Sequence, residues 1–102
     1  MYARMTTGQV QSGTIDELMP VYESAAHQQQ AMKGFVSTQM LIDRAAKRWV
    51  VVTFFETLAD LEASETVPRQ VMADPKVAAA LVGPPVVAVY EVAARVARAA
   101  TE

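Results

Sequence analysis

The sequence predicts an α+β domain of ferredoxin-like topology, with element order β-α-β-β-α-(α)-β. Three observations carry this reading. The first is R-W-V-V-V-T-F-F-E at residues 48–56, whose β-branched and aromatic content suits a strand. Alternate strand side chains leave on opposite faces, so Trp49, Val51, Thr53 and Phe55 point one way and Val50, Val52 and Phe54 the other. Neither set forms a polar face, and both are expected to be buried. The second is Thr14 followed by Glu17 ahead of an amphipathic run, the pattern of a capping box. The third is the alternation of strand-like and helix-like runs within 102 residues, a length suited to one domain. One layer of helices covers only one face of so small a sheet. The other face is expected to meet a second copy of itself.

Along the chain, Tyr2 to Val10 is Thr-rich and alternating, and reads as the first strand. Gln11-Ser12-Gly13 forms a turn. Thr14 then caps a helix whose apolar stripe runs through Ile15, Leu18, Met19, Tyr22, Ala25, Ala26 and Gln29, at the spacing of one helix face. Pro20 lies past the first turn, where it removes a helix hydrogen bond and predicts a kink or a late start. Lys33-Gly34 closes the helix. Phe35 to Asp43 is the second strand, Arg44 to Lys47 a short turn of undetermined type, and residues 48–56 the third strand. Thr57 caps a second helix, which Pro68 interrupts or restarts. Asp74-Pro75 opens a short third one, with Asp as N-cap and Pro at the first helical position, and Gly83 ends it. Pro84-Pro85 forces extended backbone into the last strand, Val86 to Ala93. The domain spans residues 1–93, and residues 94–102 form a tail that is frayed or packed on a partner.

Composition narrows the function classes. Hydrophobic residues make up 52% of the chain, enough for a packed core and rich for a small monomer, which favours self-association. The net charge of −2 and the lack of a basic patch argue against nucleic-acid binding. There is no cysteine, so disulfides, thiolate metal sites and cysteine nucleophiles are excluded. No apolar run approaches the about 20 residues that cross a bilayer. The opening M-Y-A-R-M-T-T alternates, unlike a signal peptide. A cytoplasmic protein is expected, with no membrane partner.

These residues resemble a known group. The Thr-rich first strand leading into a helix capped by Thr14, V-V-T-F-F-E-T-L-A-D-L at residues 51–61, and the Gly-Pro at residue 83 followed by V-V-A-V-Y-E-V at residues 86–92 are similar to the dimeric α/β-barrel superfamily. Within it they resemble the antibiotic biosynthesis monooxygenase domains. The resemblance covers residues 2–93. It implies two ferredoxin-like sheets packed face to face in a homodimer. It also implies a ligand pocket between sheet and helices. Its members include cofactor-independent monooxygenases of polycyclic aromatic phenols, quinol monooxygenases and heme-degrading enzymes. The heme-degrading members use an Asn on the first strand, a Trp ending the third and a His on the second helix. This chain has no Asn. Thr6 takes the first position, Phe55 the second, and Glu65 and Thr66 lie near the third. A heme ligand is therefore not expected.

The candidate ligand-binding residues are Arg4, Thr6, Tyr22, Trp49 and Phe55. Trp49 and Phe55 share the face that the resemblance turns toward the helices, as core packing or as pocket walls. Tyr22, on the buried helix stripe, is either a core tyrosine or a polar handle in a pocket. Arg4 shares strand parity with Thr6. It either pairs with a carboxylate at the core edge or anchors an anionic, enolate-like ligand. His27, the only histidine, lies away from the apolar stripe, four residues after Glu23, and reads as a surface residue. Glu62 and Glu65 read as solvated, and the scattered methionines as adaptable packing. No catalytic base is identified, and no metal site or cofactor is expected.

Two function classes follow. The first is an enzyme, a cofactor-independent monooxygenase acting on an aromatic or quinol-type small molecule. The second is a non-catalytic protein, holding a small apolar or aromatic ligand or serving only as a structural dimer. A cavity between sheet and helices would speak against the purely structural role.

Overall fold

A computed structural model describes residues 1–11 and 13–99. The elements are β1 (Tyr2–Gln9), α1 (Ile15–Gln30), β2 (Phe35–Asp43), β3 (Arg48–Phe55), α2 (Leu58–Ala63), α3 (Thr66–Ala73), α4 (Pro75–Ala80) and β4 (Val86–Glu91). The strands form one sheet in the order β2-β3-β1-β4, with every neighbouring pair antiparallel. β1 and β2 are thus parallel, with β3 between them and α1 crossing over. This is the split βαβ arrangement that the sequence predicts.

Register fixes the faces. Arg4 lies opposite Thr53 and Thr6 opposite Val51, while Thr38, Met40 and Ile42 of β2 lie opposite Thr53, Val51 and Trp49. This face meets the helices, and the core gathers there around Val10, Ile15, Leu18, Trp49, Val77 and Ala80. The other face carries Met5, Leu41, Val50, Val52 and Phe54. In the single chain these residues are half-buried or exposed, so only one face of β3 is closed. β4 is an edge strand, with Val86, Val87, Val89 and Tyr90 exposed.

Local chemistry departs from the sequence reading in four places. Thr14 sits at the N-cap of α1, yet its side chain makes no cap hydrogen bond. Its hydroxyl instead donates to the Gln11 carbonyl at 2.7 Å, so the capping box does not form. Pro20 lies inside α1 without ending it or delaying its start. The second helix is divided before Pro68, at Ser64 and Glu65. Pro68 then falls in the first turn of α3, where its missing N–H has no intrahelical partner to lose. α1 ends at Gln30, ahead of Lys33-Gly34.

Two N-caps follow the reading. Thr57 accepts the Asp60 N–H, and Asp74 accepts the Lys76 N–H, as N-caps do. The 44–47 turn closes with a Lys47 N–H to Arg44 carbonyl bond and a left-handed Lys47, φ 54°. Residues 94–99 are exposed and carry no regular secondary structure. Ser12 of the first turn and residues 100–102 of the tail lie outside the described residues.

Candidate functional site

The helix layer does not close completely on the sheet. A cavity of about 90 Å³ remains between α1, α3 and the sheet. Its walls are apolar for the most part, and its polar groups are Arg4, Thr6, Tyr22, Gln29, Trp49 and Thr53. Arg4, Thr6, Tyr22 and Trp49 of the sequence candidates therefore meet in one place. Phe55 does not line the cavity. It is wholly buried and packs edge-on against Phe35, ring centroids 5.7 Å apart, as a core residue. His27 is exposed and stands away from the cavity lining.

Arg4 is the most constrained group. Only 6% exposed, it donates through Nη2 to the Leu61 carbonyl at 2.6 Å and to Ser64 Oγ at 3.1 Å. Ser64 in turn donates to the same Leu61 carbonyl at 2.6 Å. These acceptors end α2, where exposed carbonyls favour a cation. The carboxylate pairing that the sequence allows does not form among the described residues. Glu65 is near enough to favour the charged guanidinium, and burial works more strongly in the opposite sense, pulling its pKa down. Glu65 itself is bridged to Arg69 at 3.3 Å.

A chain of hydroxyls runs beside Arg4. Tyr22 Oη donates to Thr38 Oγ1 at 3.2 Å, and Thr38 Oγ1 shares a 3.0 Å bond with Thr53 Oγ1. Thr38, Thr53 and Arg4 occupy one row across β2, β3 and β1, so neighbouring strands bring their side chains together on one face. Tyr22 reaches this row from α1. Its hydroxyl thus has the partner that a partly buried tyrosine requires.

Trp49 closes another part of the cavity. It is 4% exposed, and its Nε1–H has no hydrogen-bond partner among the described residues. The indole lies across Gly8, where a Cβ would fall 2.6–2.9 Å from three ring atoms. Gly8 serves here by leaving space.

Sequence reading missed Thr38, Gln29, Ser64 and the Leu61 carbonyl. Strand parity alone places Thr53 on the inner face, but Thr38 joins it only through the β2–β3 register. The partners of Arg4 belong to a helix end about 60 residues away, as the 57- and 60-residue separations show. No sequence pattern signals that contact. Among the described residues, no group of three His, Asp or Glu side chains is placed to hold a metal ion. No helix among them is long and apolar enough to cross a membrane.

A family model described as Antibiotic biosynthesis monooxygenase matches residues 1–70. No curated protein matches the chain in sequence. Similar solved structures include a protein of unknown function from Nitrosomonas europaea, TM-score 0.78 at 21% identity, covering 97% of this chain and 95% of that one. The heme-degrader MhuD from Mycobacterium tuberculosis, with two hemes bound in its active site, gives 0.73 at 22% identity and covers 95% and 100% of the two chains. A variant of SnoaB, a cofactor-independent oxygenase from Streptomyces nogalater, gives 0.74 at 13% identity, covering 92% and 94%. At these identities the likeness is one of fold.

Proposed function

The chain belongs to the antibiotic biosynthesis monooxygenase family, and on that premise we propose that its cavity takes a small aromatic or quinol-type molecule and promotes its direct reaction with molecular oxygen. The observation that carries this reading is that Arg4, Thr53 and Tyr22 stand on the wall of an otherwise apolar cavity, with Thr38 behind them linking the Tyr22 and Thr53 hydroxyls. Such a wall holds a developing phenolate in surroundings of low polarity, where fixed donors act strongly. The phenol loses its proton, and the anion gives electrons to oxygen as a carbon–oxygen bond forms on the ring. Loss of water from the resulting hydroperoxide leaves a quinone. One oxygen atom enters the product and the other leaves as water. Thr6, Trp49 and Gln29 complete the enclosure, and Phe55 supports it from the core.

Among the described residues no His, Asp or Glu lines the cavity, so on this reading the phenolic proton leaves through hydroxyls or water. This same observation favours the rival reading, a site that binds its ligand without transforming it. Oxygen uptake by metal-free protein with phenol and hydroquinone separates the two. The oxygenase reading expects uptake that falls at least tenfold in Tyr22→Phe with the fold intact. Absence of uptake across the panel overturns it.

The assembly we propose is a homodimer through the open sheet face, with Val50, Val52 and Phe54 at its centre. The half-exposed state of these residues in the single chain supports this, because a contiguous apolar sheet face in water favours association. A single domain of residues 1–93 with a separate tail, in a cytoplasmic setting, goes with this reading.

A further inference from the structure

We propose that the ligand of this cavity is a single-ring compound carrying a carboxylate, and that the carboxylate seats on Arg4. This deepens the reading above and rests on the same cavity being the ligand site. Arg4 is a buried guanidinium on the cavity wall. The salt bridges among the described residues are Arg44–Asp16 and Arg69–Glu65, and neither neutralises it. Its hydrogen-bond partners are a carbonyl and a hydroxyl, both reached through Nη2. A guanidinium has five N–H donors in a planar fork, so its remaining edge is free to meet an acceptor in the cavity.

A buried charge without a directly bonded counter-ion is costly, and an opposite charge that arrives with the ligand offsets that cost. A neutral phenol brings only a lone pair at neutral pH. A carboxylate brings a full charge and two oxygens spaced for the fork. Burial pulls the guanidinium pKa down more strongly than Glu65 raises it, and Glu65 itself is bridged to Arg69.

Size sets the other limit. A cavity of about 150 Å³ accommodates benzene, and this one is about 90 Å³. One ring fits after small shifts of Met40 and Met72, flexible side chains on its wall. A fused three-ring system or a porphyrin does not.

Trp49 is the only tryptophan, so its fluorescence reports occupancy. The test titrates the full-length protein with benzoate, with benzyl alcohol as a neutral probe of similar size and with benzylammonium as a cationic one. The expected result is saturable change with benzoate, at least tenfold weaker binding of benzyl alcohol and none of benzylammonium. Arg4→Lys keeps the order of preference, and Arg4→Gln, checked for folding by circular dichroism, removes it. Equal or tighter binding of benzyl alcohol by the unaltered protein overturns the inference, whatever the variants do. So does the lack of saturable benzoate binding, or a folded Arg4→Gln that still prefers benzoate. Benzoate has no phenolic hydroxyl, so this titration reads charge preference alone. Oxygen uptake with the neutral hydroquinone reads the oxygenase activity alone, and each can fail without the other.

Discussion

On the face of the sheet that meets the helices, Trp49, Thr53 and Phe55 are buried. One residue along the same strand, on the opposite face, Val50, Val52 and Phe54 are only half-buried. The two sets are similarly apolar in sequence. They differ in what covers them, and Arg4, Thr6, Thr38 and Thr53 all lie on the covered face. Here the chemistry-bearing side chains are those that the helix layer removes from water, where hydrogen bonds and charges act more strongly. The open face carries the larger share of unsatisfied apolar surface and, on our reading, the assembly.

The sharpest way to break this contrast is on the covered face. Phe55→Ala leaves a hole in a site with no exposure and is expected to cost about 3–5 kcal/mol. Urea denaturation measures it, and a loss below about 1 kcal/mol would mean that the site collapses without strain.

On the open face, Val52→Lys separates two outcomes. If a second copy covers the face, an unpaired charge is trapped there, which costs several kcal/mol and drives the protein to dissociate, unfold or aggregate. If the face stays in water, the change is nearly silent, and sedimentation shows the same species before and after. A well-folded, unchanged monomer would count against the face-to-face dimer.

A smaller effect is expected at Gly8. In Gly8→Ala the new methyl meets the Trp49 ring, and overpacking of this kind costs about 1–3 kcal/mol. The Trp49 emission should move with it, and an unmoved spectrum at full stability would show that the indole shifts freely.

The least effect belongs to the surface. Asp16 accepts a hydrogen bond from Arg44, 3.0 Å away, and that bond and the neighbouring charge lower its pKa. A carboxyl whose pKa is lower when folded adds stability above its unfolded pKa, and the contribution is lost as pH falls through the folded value. Both partners are well exposed, so the contribution is slight and screened by salt. Asp16→Asn should flatten the acid limb of a melting-temperature profile at low ionic strength and change nothing in concentrated salt.

Much of the fold is legible in the residues. The period-two runs of β1, β2 and β3 and the stripe of α1 name their own elements, because backbone geometry ties side-chain direction to spacing. Asp74-Pro75 marks α4 for a similar local reason. Thr14 shows the limit of this logic, since its hydroxyl has two acceptable partners within reach and takes the Gln11 carbonyl. The site is legible only in part. Arg4, Thr6, Tyr22 and Trp49 follow from strand parity and helix stripe together with family likeness. Phe55 shares that parity, yet the end of its strand lies over Phe35 and not over the cavity.

The sequence by itself determined the order of the elements, the shared parity of Arg4 with Thr6 and of Trp49 with Thr53, and the lack of a polar face on β3. Each depends on neighbours a few residues away, within reach of local sterics and periodicity. Tertiary structure alone decided that Thr38 meets Thr53 and Tyr22, that the end of α2 holds Arg4 where a carboxylate was allowed, and that a cavity of about 90 Å³ survives beside them. Those outcomes depend on strand register and on how far the helices settle onto the sheet, quantities set by the packing of the whole domain.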